Sequence, residues 1–149
     1  MLGIKLANNI INYSIHIGSP ITNLKLQGIM YLINLEYIKT YEKKLLDEDF
    51  EAWQYSPVLR TVYQEFAIYG NNPISKIQLN YDIETEVETL MKNIVDKYSK
   101  INSWEITENL NSDKIYQDTI KEKGIKSIID YYTIIKHYQN LKDKNENNK

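Results

Sequence analysis

The sequence predicts a mainly α-helical protein, a single helical domain of about six to seven helices with one small β-hairpin insertion. Apolar residues recur at helical spacing along most of the chain. Glycine and proline interrupt that spacing at Gly18–Pro20, Gly70–Pro73 and Gly124. One stretch, Lys44 to Tyr55, has a different rhythm, with two short apolar runs on either side of three acids.

The first helix is expected from about Ile4 to Ile17, where Ile4, Ala7, Ile10, Ile11 and Ile15 share a face. Gly18 suits a left-handed terminator, and Pro20 prevents continuation. His16 falls in the last turn, where a partly protonated imidazole complements the helix dipole. The second helix starts at a Thr22 cap and runs to about Tyr41. It is apolar around nearly its whole circumference, the pattern of a buried central helix. Gly28 inside it costs roughly 1 kcal/mol relative to alanine, which points to close packing by another helix.

The hairpin pairs Lys44–Leu46 with Phe50–Tyr55 around a solvated Asp47-Glu48-Asp49 tip. Strand alternation puts Glu51, Trp53 and Tyr55 on one face. Ser56 then caps a third helix, with Pro57 at its first position, running to Gly70. A fourth covers about Ile83 to Tyr98, with Glu84, Glu86 and Glu88 at its start and Lys97 near its end. Ser103 caps a short helix to about Leu110, and another spans about Asp113 to Lys123. After Gly124 a last helix carries Ile125, Ile128, Ile129, Tyr132 and Ile135. The domain is read as residues 1–141; residues 142–149 offer nothing apolar to bury and are expected to be a disordered tail.

The chain has 149 residues, 42% hydrophobic and 26% charged, which suits one domain around one core. Its formal net charge of −2 argues against a binder of nucleic-acid phosphates. A helix, a break, a second helix and a hairpin resemble a winged helix-turn-helix, but the second helix is too apolar to present side chains to bases. The chain has no cysteine, so disulfides and thiolate chemistry are excluded. Neither a signal peptide nor a membrane span is expected, and the cytoplasm is the expected location. Close to half the residues are Ile, Lys, Asn or Tyr, whose codons are AT-rich, as in an AT-rich bacterium or phage.

Catalytic patterns are absent: no His-Glu-x-x-His, no glycine-rich phosphate loop, no Gly-x-Ser-x-Gly. His16 and His137 have no metal-ligand spacing, and the acids at 47–49 lack a loop glycine. The reading is a non-enzyme with no catalytic residue, no cofactor and no metal. A partner surface is instead expected at Glu51, Trp53, Tyr55, Arg60 and Tyr63, with Lys25 and Gln27 nearby. Tryptophan, tyrosine and arginine are the commonest interface anchors, and Arg60 is the only arginine in the chain. Glu51 is expected to pair with Lys25 or Arg60.

Two blocks stand out: Pro20-Ile21-Thr22-Asn23-Leu24-Lys25-Leu26-Gln27 with Met30-Tyr31-Leu32, and Leu46-Asp47-Glu48-Asp49-Phe50-Glu51-Ala52-Trp53-Gln54-Tyr55-Ser56-Pro57-Val58. Val62-Tyr63-Gln64-Glu65-Phe66 and Tyr69-Gly70-Asn71-Asn72-Pro73-Ile74 follow. Together they resemble the Panacea domain of SocA-like antitoxins and phage-associated GepA-like proteins. The likeness is dense from about Ala7 to Ile74 and thinner beyond, at Val95–Tyr98 and Trp104–Thr107. Ser56 departs from the family's usual glycine, and Asn111 and its neighbours replace its usual Thr-His pair.

The resemblance implies a helical antitoxin that neutralises a cognate toxin by direct binding, in some members also as an adaptor to the ClpXP protease. It carries over no catalytic residue. A phage or prophage regulator that binds a host protein is the alternative, with a DNA-binding regulator behind it. A second copy of the chain is a further candidate partner.

Overall fold

The computed structural model describes residues 1–147. In chain order the elements are α1 (Gly3–His16), α2 (Asn23–Tyr41), β1 (Phe50–Ala52), β2 (Pro57–Val58), α3 (Arg60–Glu65), a 3-10 turn (Ala67–Tyr69), α4 (Thr85–Tyr98), α5 (Ser103–Asn111), α6 (Lys114–Lys123), β3 (Ser127–Ile129) and α7 (Tyr131–Asn147). The fold is mainly α with one small antiparallel sheet, as the sequence predicts.

α2 is the axis. Leu26, Ile29, Met30, Tyr31 and Ile33 are fully buried, and α1, α4, α5, α7 and β2 pack around them. Thr22 caps the helix by accepting from the Lys25 amide at 3.2 Å. Gly28 meets α5: a Cβ there would sit 2.9 Å from Leu110 Cδ1 and 3.2 Å from Ile106 Cδ1. α1 ends as expected, with Gly18 at φ +74° and Ser19 donating back to the Ser14 carbonyl at 2.8 Å.

Asn8, Asn9 and Asn12 of α1 hold a long connection that belongs to no helix or strand. Their amides donate to the Leu79, Tyr81 and Gln78 carbonyls at 3.0–3.1 Å. Asn12 Oδ1 accepts from the Gln78 amide at 2.8 Å, so one side chain satisfies both polar groups of that residue.

The sheet corrects the expected hairpin. Lys44–Leu46 forms no strand; β1 pairs with β2 on one side and β3 on the other, in the order β2-β1-β3. Leu45 and Leu46 are buried in an irregular segment beside the chain start, where the Asp47 amide donates to the Met1 carbonyl at 2.8 Å. The acids are not a free tip either. Glu48 accepts from the Gly3 amide at 2.8 Å and so caps α1 from a distance, while Asp47 meets the Met1 amino group at 3.2 Å.

Three further differences have local causes. Pro57 lies in β2, not at the start of a helix; its missing N–H suits an edge strand. Ile128 and Ile129 lie in β3 rather than a helix, because Gly124 and Lys126 take positive φ values and turn the chain into the ladder. α7 starts afterwards, with Asp130 accepting from the Thr133 amide and hydroxyl at 2.8 Å each. It continues to Asn147, into the stretch expected as a disordered tail, because extending a formed helix costs little per residue. The last two residues of that expected tail lie outside the described residues.

The core draws on every part of the chain, from Leu6 to Ile135. Among the described residues, no helix is long and apolar enough to cross a membrane.

Candidate partner-binding site

The sheet has a buried and an outer face. Phe50, Ala52 and Ile129 point inward, and Phe50 packs edge-on to Tyr31 with ring centroids 5.3 Å apart. Glu51 lies between them on the outer face, directly across from Ile128 on β3. Past β1 the chain turns at once: the Trp53 amide donates to the Ser56 carbonyl at 3.1 Å and closes the connection to β2. Ser56, at the family's glycine position, is buried and needs no left-handed backbone, since only Glu42 and Lys126 among described non-glycine residues have positive φ. Tyr116 of α6 donates its hydroxyl to the Trp53 carbonyl and fixes this turn from below.

Arg60 opens α3 and reaches back to the sheet. Its Nε and Nη2 donate to the two oxygens of Glu51, each at 2.8 Å. Trp53 Nε1 donates to the same carboxylate at 3.2 Å. The Arg60 guanidinium, first through these hydrogen bonds, holds the Glu51 carboxyl below its usual range. The indole also packs edge-on to Tyr63, with centroids 5.1 Å apart. Two cations lie over it, Arg60 Cζ at 5.9 Å and Lys126 Nζ at 5.7 Å. Trp53 is therefore neither core nor loose: it is half-buried and framed by polar neighbours. Tyr55, 65% exposed, stands at the tip of the turn.

Glu51, Trp53, Arg60 and Tyr63 thus come together as expected, and Glu51 takes Arg60 rather than Lys25. Lys25 and Gln27 do not join them. Lys25 donates its ammonium to the Ser99 carbonyl at 2.8 Å, where it closes the C-terminal end of α4; burial lowers its pKa. Gln27 has no exposed surface. Its Oε1 accepts from the Leu59 amide at 2.8 Å, and its Nε2 donates to Asn23 Oδ1 at 3.1 Å. Asn23 in turn donates to the Tyr63 carbonyl at 3.0 Å. This buried pair, one turn apart on α2, fixes where α3 begins and so where Arg60 and Tyr63 stand.

Sequence reasoning missed Lys126, Ile128 and Tyr116. Lys126 and Ile128 come beside Trp53 and Glu51 through strand pairing, and Tyr116 through the packing of α6 under the turn, long-range contacts that no local pattern reveals. The one available signal was the Ile-Ile pair shortly after Gly124, a β-branched doublet that fits a strand as well as a helix. Beside Tyr63 lies an open groove of about 500 Å³, lined by Thr22, Leu24, Ala67, Asn71 and Ser103 among others. Its walls carry no cluster of ionisable groups.

Antitoxin SocA of Caulobacter vibrioides (strain NA1000 / CB15N) is 30% identical over 77 residues, which is 52% of this chain and 41% of that protein. The chain thus matches about two fifths of the relative's length. No solved structure matches. The family described as Antitoxin SocA-like, Panacea domain, matches residues 26–145, well over half of the chain, and the chain belongs to that family.

Proposed function

We propose that this protein is an antitoxin that acts by binding, neutralising a cognate protein toxin through direct contact and performing no catalysis. Membership of the SocA-like antitoxin family carries the reading. The outer sheet face supports it, since Trp53, Tyr63, Arg60 and Tyr55 are the side-chain types that anchor interfaces, and all four reach the surface. The contact surface is Glu51, Trp53, Tyr55, Arg60 and Tyr63. Gln27 supports it from beneath, through the Leu59 amide at the start of α3. Blocking is the primary action, in the cytoplasm. Delivery of the bound toxin to the ClpXP protease is a second step, and self-association is compatible with either.

Co-expression with the product of the adjacent reading frame tests this. The product should arrest growth alone, be relieved by this protein, and co-purify with it. A product that is harmless alone and does not co-purify sinks the reading. Toxin half-life in cells with and without ClpX separates blocking from delivery: blocking leaves it unchanged.

A further inference from the structure

The outer sheet face is larger than the motifs of the first half of the chain suggest. Ile128 on β3 stands directly across from Glu51 on β1 and is 54% exposed; Ile125, just before the strand, is 55% exposed. Between them Lys126 adopts φ +69°, a left-handed conformation that a lysine rarely takes. The strain is held in place by a backbone bond: the Lys126 amide donates to the Ala52 carbonyl at 2.6 Å, lengthening the β1–β3 ladder by one rung. The result is an ammonium 5.7 Å from the Trp53 ring centroid.

The charges at this face do not balance. Glu51 is the carboxylate beside Trp53, and Arg60 occupies both of its oxygens while Trp53 Nε1 takes a further share. Among the described residues Lys126 has no ion pair. Lys126 acts on the Glu51 carboxylate only from a distance, so one positive charge is left over next to the half-buried Trp53 ring and the exposed Ile128 side chain.

We infer that Lys126 and Ile128 complete the recognition surface, and that the toxin segment they receive bears a carboxylate beside a large apolar side chain. The inference rests on the antitoxin reading and specifies its partner. The partner's carboxylate meets Lys126, and its apolar group covers Trp53 and Ile128, removing both from water. A nucleic-acid ligand suits the face less well, because the Glu51 carboxylate lies at its centre.

The test uses the purified product of the adjacent reading frame and the full-length chain. Two variants leave the fold intact. Lys126→Asn keeps a residue tolerant of the left-handed conformation and removes the charge. Ile128→Ser replaces a half-exposed side chain on an outer face. Both should melt close to wild type, and each should weaken binding by about tenfold or more. Binding by wild type should fall as sodium chloride is raised, and binding by Lys126→Asn should fall less steeply. If wild type binds but either variant stays within about twofold of it, the inference is overturned and the antitoxin reading stands. If the product neither binds wild type nor harms cells, both fall together.

Discussion

Arg60 holds Glu51 with a two-pronged grip, Nε on one oxygen and Nη2 on the other, both at 2.8 Å. The geometry needs a planar fork, which lysine lacks. Arg60 is half open to water, so its weight in folding is small and the pair's value lies in fixing where both charges stand. Arg60→Ala should therefore melt within about 2 °C of wild type and fail to neutralise the toxin. A normal melt with full neutralisation removes Arg60 from the surface.

The same pair sets a pH dependence. Glu51's folded pKa is depressed, chiefly by the Arg60 hydrogen bonds, below the ordinary value of 4.5. Its stabilisation is fully present above that ordinary value and is lost as pH falls through the lower folded value. Wild type should lose stability on acidification somewhat faster below pH 4.5 than Glu51→Gln, whose side chain does not titrate. Chemical denaturation at a series of pH values reads the difference; parallel curves would show that Glu51 contributes nothing to it.

Trp53 is half-buried, not part of the core. Trp53→Ala should cost about 1 kcal/mol of stability, well short of the roughly 3–5 kcal/mol for a fully buried tryptophan. Toxin affinity should fall by about 2 kcal/mol or more. Thermal melts and calorimetric titration of the same preparation separate the two losses.

Gln27→Leu tests the scaffold below that surface. The substitution leaves the buried Leu59 amide without an acceptor and Asn23 Oδ1 without its donor. A loss of about 1–3 kcal/mol is expected in urea denaturation. Leu26→Asp or Ile33→Asp goes further, burying a charge with no partner at fully buried positions of α2. The penalty is several kcal/mol against a total of roughly 5–15, so either variant should be unfolded by circular dichroism.

The helices were legible because each announces itself locally. Thr22 caps α2, Gly18 ends α1, and the apolar stripe from Val87 to Val95 orients α4. The sheet was not legible. Phe50–Ala52 sits beside a plausible neighbour in sequence, Lys44–Leu46, yet pairs with Ser127–Ile129 across the molecule. The choice is made by tertiary packing of Phe50 and Ile129 into the core, which outweighs local turn chemistry. The candidate site was legible in part for the same reason. Glu51, Trp53, Arg60 and Tyr63 are close in sequence and close in space. Lys126 and Ile128 arrive with the third strand. Lys25 and Gln27 were misplaced because a motif shows that residues matter without showing which way they face.

The family match begins at residue 26, yet α1 lies before it. Leu6, Ile10 and Ile11 of that helix have no exposed surface, and its asparagines carry the connection ahead of α4. A chain trimmed to the matched boundaries would open one wall of its own interior and strand that connection in water. The recognisable region and the packed unit are different lengths, and moving this domain between proteins must move the first helix with it.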